Sequence, residues 1–232
     1  VVAANGWYAQ VARRHAYEYG TTDEQRFKVA ADQRTNALVT PGSAFAGQAV
    51  TVEDVANSRL IADPLHLLEC VMPCAGGGAL IVTTPEKAAA MPHKPVYLAG
   101  AGHHTDHNDL TWAERITRSP AVVSAKRAFQ MAGLNPSDMD FAEIYDCYTI
   151  TVMITLEDAG FMPKGESGPW YAEHDTTYKG DFPVNTHGGQ LSYGQQAGNT
   201  GGFSQVMEAA LQLQGRAGER QVERNRVGFV NG

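Results

Sequence analysis

The chain has 232 residues, 43% of them hydrophobic and 19% charged, with a formal net charge of −7 at pH 7. That is enough apolar chain for one large domain or two small ones. With 25 acidic residues against 18 basic ones and no Lys/Arg run, no nucleic-acid partner is expected, and no apolar run approaches the roughly 20 residues of a membrane span.

The three cysteines, Cys70, Cys74 and Cys147, are an odd number. They read as free thiols of a reducing, cytoplasmic compartment rather than a disulfide framework. Cys70 and Cys74 have loose metal spacing but no second pair, so no metal site is expected. The N-terminus, Val1-Val2-Ala3-Ala4, has no basic-then-apolar leader pattern. It also lacks Met, as a piece of a longer protein would.

Residues 7–19 read as an amphipathic helix stopped by Gly20. Thr22-x-x-Gln25 has the form of a capping box, opening a second helix through Leu38 that Pro41 and Gly42 end. Thr51-x-x-Asp54 opens a short third helix. The β-branched run 78–84, GALIVTT, predicts a buried strand. The segment 85–95 carries three prolines and marks a boundary, so 1–90 and 91–232 are expected to be separate units. Residues 96–99, VYLA, predict another strand. Ser119-Pro120 then begins a helix that Gly133 ends. FAEIYD, 141–146, alternates as a strand does, and 149–160 has helical length and a terminal glycine. A glycine-rich stretch, 184–202, precedes a helix from Phe203 and a final strand at 227–230. From residue 96 onward this alternation is an α/β layered pattern.

The glycine-rich stretch is the strongest candidate site. Glycines permit positive φ and close approach of a ligand to backbone N–H groups, and such amides can hold a thioester oxygen as it becomes an oxyanion. Asn185, His187, Tyr193, Gln195 and Gln196 add side-chain hydrogen bonds. The same residues also fit a tight solvated turn. The run 102-GHHTDHND-109 reads as a polar loop, its spacing matching no metal site.

The segments 133-GLNPSDMDFAEIYDCYT-149, 185-NTHGGQLSYGQQAGNTG-201 and 206–232 resemble the C-terminal half of thiolase-superfamily proteins, in particular the sterol-carrier-protein-X or lipid-transfer-protein branch. Segment 54–82 resembles the part just before that family's first half closes. The resemblance implies a layered α-β-α fold with a mixed central sheet. The chain would cover the end of the N-terminal half (1–90) and most of the C-terminal half (91–232), without the nucleophilic cysteine of the missing segment. In the family a His-Asp-Cys-Phe-Ser motif lies where this chain has Tyr145-Asp146-Cys147-Tyr148-Thr149. An Asn-Pro-Ser-Gly-Gly…Gly-His-Pro motif lies where it has Asn185 to Gln196. The family's catalytic histidine is thus replaced by Gln195, which has no titratable proton and cannot be a general base.

The resemblance therefore implies altered chemistry. Tyr145 and Tyr193, with His187, become candidate catalytic residues for retro-aldol cleavage of a β-hydroxyacyl-CoA. Asn185, Gly188, Gly189, Gln195, Gln196 and Asp146 become the candidate oxyanion and substrate-binding groups. The coenzyme A thioester is a substrate and no tightly bound cofactor is implied. A homodimer is implied, together with a DUF35/OB-fold acyl-CoA-binding subunit. Two other readings stay open: a conventional thiolase whose cysteine lies in the missing half, and a non-catalytic acyl-CoA- or lipid-binding subunit. Tyr145 also fits a core aromatic, Tyr193 a packing aromatic, and Cys147 a small buried hydrophobe.

Overall fold

The computed structural model describes residues 4–107, 109–196 and 202–232. The two N-terminal helices form from local signals. α1 (Ala4–Tyr19) ends at Gly20, and α2 (Asp23–Leu38) opens on the capping box, with Thr22 and Gln25 satisfying each other's backbone N–H. A second box, Thr51 with Asp54, opens α3 (Val52–Asn57). β1 (Leu60–Ala62) and β2 (Leu65–His66) pair antiparallel, and β3 (Pro73–Cys74) and α4 (Pro85–Ala89) follow. α5 (Ala121–Ala132) ends on Gly133 in the left-handed region. After it come β4 (Phe141–Ile144), α6 (Thr149–Asp158), α7 (Ser167–Glu173) and α8 (Gly189–Ser192). β5 (Gln195–Gln196), α9 (Phe203–Gln214) and β6 (Gly228–Asn231) complete the described chain.

The core is built around β4, whose four residues are all buried. It pairs in parallel with β6 on one side and bridges to Val184 in parallel on the other. Strand alternation then sorts its side chains. Ala142 and Ile144 join the main apolar cluster with α6 and with Phe129 of α5. Phe141 packs with Ala209 of α9 and Val222. Helices thus cover both faces of this sheet, the α-β-α layering expected, and the sheet pieces include parallel and antiparallel pairs. α2 runs through the interior against α6, α7 and α8, with Arg26, Gln33, Arg34 and Asn36 all buried.

Two expected strands are corrected. Residues 78–84 and 96–99 have no strand structure, and their apolar side chains are exposed, Val82 at 87% and Leu98 at 85%. Composition gives an apolar run its β tendency, but a strand exists only where a neighbour supplies the ladder. Neither run has a pairing partner among the described residues. Conversely, the hairpin β1–β2 and the short helices α7 and α8 had no periodic pattern long enough to announce them.

Candidate functional site

The glycine-rich stretch begins where the chain leaves the sheet beside β4. Asn185 is buried, with a positive φ of 52°, and its N–H donates to the Ala142 carbonyl at 2.9 Å. Its side-chain oxygen accepts from the Ile144 N–H at 2.7 Å, and Asn36 of α2 donates to its carbonyl at 3.0 Å. Asn185 therefore fastens the stretch to β4 and α2. Its side-chain Nδ2 has no hydrogen-bond partner among the described residues.

Gly188 (φ 102°) and Gly189 (φ 60°) turn the chain into α8. A Cβ on Gly188 would overlap Ala37 of α2, and one on Gly189 would overlap the Asp146 carboxylate. In this structure protein packing requires glycine at both positions. Asp146 is fully buried and accepts from the backbone N–H groups of Gln190 (2.8 Å) and Leu191 (3.1 Å) and from Gln205 (3.0 Å). Burial dominates those bonds and raises its pKa to about 7. Asp146 thus holds the start of α8 against the β4–α6 connection. The far end of α8 is held by Ser43, whose hydroxyl donates to the Ser192 carbonyl at 2.9 Å. Arg34 donates to the Ser192 hydroxyl at 3.1 Å and stacks over Phe45.

Tyr145, Tyr193, His187 and Gln195 lie in the same region. The half-buried Tyr145 follows β4 and its ring borders Gly202 of the glycine-rich stretch, with the Gln195 side chain and the Cys147 thiol near it. Burial raises its pKa to about 12, so the phenol stays neutral and can donate a hydrogen bond. Two residues before Gln195, the Tyr193 ring lies 5.3 Å, centroid to centroid, from His187. β5 carries Gln195 opposite Pro73 and Gln196 opposite Cys74 of β3, which fixes the register of this end. The Gln196 side chain and residues 197–201 lie outside the described residues.

His187 is buried, with Nδ1 3.2 Å from Oε2 of Glu143. That is an ion-pair distance, but it lies off the line a hydrogen bond needs, and both atoms are otherwise unpartnered. Burial alone lowers the histidine's pKa, yet Glu143, Glu208 and Asp146 around it raise it above its ordinary value. Sequence reasoning missed Glu143 and Glu208. The one signal was a carboxylate inside an otherwise apolar strand, FAEI.

Cys147 is buried with its thiol pushed up to about 11, and Cys70 with its thiol pushed up to about 12, in each case chiefly by burial. Both are inert at neutral pH. In the 102–109 loop, His104 and Asp106 pair at 2.5 Å, and Asp106 also faces Arg118. None of the described helices is long and apolar enough to cross a membrane.

Comparison with known proteins agrees with this architecture. Residues 102–232 match the family described as thiolase C-terminal domain-like. An acetyl-CoA acetyltransferase of Methanothermobacter thermautotrophicus is 41% identical over 225 residues, covering 97% of this chain and 58% of that protein. A steroid side-chain-cleaving aldolase of Thermomonospora curvata is 39% identical over 190 residues, covering 80% of this chain and 49% of that protein. The solved structure of an Ltp2-ChsH2(DUF35) aldolase superposes with a TM-score of 0.84 at 35% identity, covering 91% of this chain and 56% of its own. The chain thus spans about half the length of the relatives it matches. With the layered core, the glycine-rich turn at β4 and these matches, the chain belongs to the thiolase superfamily.

Proposed function

We propose that the protein to which this chain belongs is a lyase that cleaves the C–C bond next to an acyl-CoA thioester by a retro-aldol reaction. The observation that carries this reading is the Tyr193–His187 ring contact two residues from Gln195, with Tyr145 nearby, at the position where a condensing thiolase needs a titratable histidine. Gln195 cannot take a proton, so proton transfer has to fall to the other three groups.

In this mechanism the β-hydroxyl of a β-hydroxyacyl-CoA gives its proton to Tyr193. A positive charge on the neighbouring His187 offsets the negative charge on the tyrosine oxygen. The bond between the α and β carbons breaks, its electron pair passes to the α carbon, and the β carbon leaves as a carbonyl product. The resulting thioester enolate is stabilised by hydrogen bonds from the neutral Tyr145 phenol and the Gln195 amide, then protonated at the α carbon by the proton that Tyr193 took up, which restores the tyrosine oxygen to its starting state. Asn185, Gly188, Gly189 and Asp146 set the shape of the turn, and Gln196 borders it. In this mechanism neither Cys70 nor Cys147 forms a covalent acyl intermediate, in keeping with their high thiol pKa values.

We further assign residues 1–90 to the end of the N-terminal thiolase half and 91–232 to the C-terminal half. A homodimer, a DUF35-type partner and a cytoplasmic location complete the proposal. The partner is supported by the neighbouring structure, which is itself named as an assembly with a DUF35 component.

The test is kinetic, in the full-length protein with its partner. Tyr145→Phe and Tyr193→Phe are each expected to lower kcat on a β-hydroxyacyl-CoA by about 100-fold or more, with acyl-CoA affinity retained. Unchanged turnover in both variants, or efficient thiolysis of a β-ketoacyl-CoA by the wild type, overturns the lyase reading.

A further inference from the structure

Behind His187 lies a buried chain of polar groups that the proposed reaction does not use directly. Oε1 of Glu143, on β4, is 2.7 Å from the Thr186 hydroxyl oxygen. The same hydroxyl oxygen is 2.8 Å from Oε1 of Glu208, on α9. All three residues are almost completely buried. Two oxygen–oxygen contacts this short each need a proton between them. A threonine hydroxyl has one. The second has to sit on a carboxyl group.

The surrounding donors decide which one. Glu208 receives Nε and Nη2 of Arg220 at 2.9 and 2.7 Å and an N–H of Gln212 at 2.9 Å. A carboxylate gripped by a guanidinium fork stays ionised. Although burial works the other way, Arg220 brings the Glu208 pKa below its ordinary value. Among the described residues no Arg or Lys pairs with Glu143, which receives only the Thr186 N–H, at 3.1 Å, besides the hydroxyl. The Gln212 amide is fixed in orientation, because its oxygen accepts from Val222 N–H and from Gln221. Its nitrogen can therefore only donate toward Thr186 and Glu208, and it cannot stand in for the missing proton.

We propose that Glu143 is held as a neutral carboxylic acid that donates to Thr186, which in turn donates to the ionised Glu208, and that this chain is the positioning device for His187. The free Glu143 oxygen, Oε2, faces His187 Nδ1 at 3.2 Å. The charged and titratable groups around the chain are His187 beside it on the glycine-rich stretch, Asp146 beyond His187, Glu208 on α9 and Arg220 after α9. With its proton turned toward Thr186, Glu143 presents an uncharged oxygen, Oε2, to His187 and fixes the side of the imidazole ring. The link to turnover rests on the lyase reading above; the protonation of Glu143 does not.

Infrared difference spectroscopy of the full-length protein tests the two separately. At about pH 8.5 Asp146, titrating near 7, is mostly ionised. Under those conditions the wild type is expected to show the carbonyl stretch of a protonated carboxylic acid, sensitive to deuterium and absent from Glu143→Gln. Thr186→Val should move the band to higher frequency by removing its acceptor, while Thr186→Ser should leave it in place. If Glu143→Gln does not fold, the contrast between the two Thr186 variants decides. A wild type without the band, a band that survives in Glu143→Gln, or one indifferent to Thr186→Val overturns the proposal. In turnover, Thr186→Val is expected to lower kcat about 100-fold with KM little changed, the signature of a misplaced group, and Thr186→Ser to restore it. A normal band in a protein without lyase activity upholds the proton assignment and refutes the lyase reading.

Discussion

Glu157 sits where α1, α6 and α7 meet, and α6 is the helix that follows the Tyr145–Tyr148 segment. Its carboxylate is buried and collects donors on both oxygens. His15 of α1 is 3.0 Å from Oε2 and Lys164 3.2 Å from it, while the Ser167 N–H and hydroxyl reach Oε1 at 3.2 and 2.5 Å. Burial raises its pKa, but these donors outweigh burial and bring it from its ordinary 4.5 down to about 2. At about 1.4 kcal/mol per pH unit, the gap of roughly 2.5 units corresponds to about 3 kcal/mol of stability carried by the ionised form. Because the folded value is the lower one, that contribution is complete well above 4.5 and is lost as pH falls through 4.5 toward 2. Glu157→Gln turns an N–H toward one of the two donor pairs. Urea denaturation should show it less stable than wild type by about 3 kcal/mol near pH 7, with the difference shrinking by about 2 kcal/mol near pH 3. A difference below about 1 kcal/mol near pH 7, or one independent of pH, would refute the account of this junction.

Gly189→Ala puts a Cβ into the Asp146 carboxylate at a φ of 60°; a loss of at least about 2 kcal/mol is expected from thermal denaturation, and a neutral variant contradicts the packing described. Asp146 ionises at about 7 in the folded chain against an ordinary 3.8, so stability should decline as pH rises from about 4 to about 7. Asp146→Asn should flatten that decline, and an unchanged slope in denaturation profiles counts against the assignment. Glu69 is fully buried, accepting from Arg26 Nε at 3.0 Å, Thr149 at 2.8 Å and the His66 N–H at 2.9 Å. Glu69→Gln leaves the buried Arg26 with the exposed Asp23, 2.8 Å away, as its remaining carboxylate, with an expected cost of about 3 kcal/mol in equilibrium unfolding; less than about 1 kcal/mol would show that α2 is not anchored there.

The residues of the candidate site were legible in the sequence as chemical types at motif positions, and their roles in the turn were not. The substitution at Gln195 was visible by resemblance and already pointed away from a histidine base. That Gly188 and Gly189 are consumed by packing against Ala37 and Asp146 depends on where α2 passes, which no local pattern states. Glu143 and Glu208 lie 65 positions apart in the numbering, and only the bridge of β4 to Val184 and the packing of α9 on that sheet bring both to Thr186.

The sequence by itself determined the helix ends. Thr22 with Gln25, Thr51 with Asp54, Ser119-Pro120 and Gly133 act within four residues of themselves, so their stereochemistry is complete before any tertiary contact forms. Tertiary structure alone decided which apolar runs became strands. FAEI found neighbours in β6 and at Val184, whereas 78–84 and 96–99 found none among the described residues. A helix satisfies its own backbone, but a strand's hydrogen bonds belong to another part of the chain, and so do the partners of every buried charge around His187.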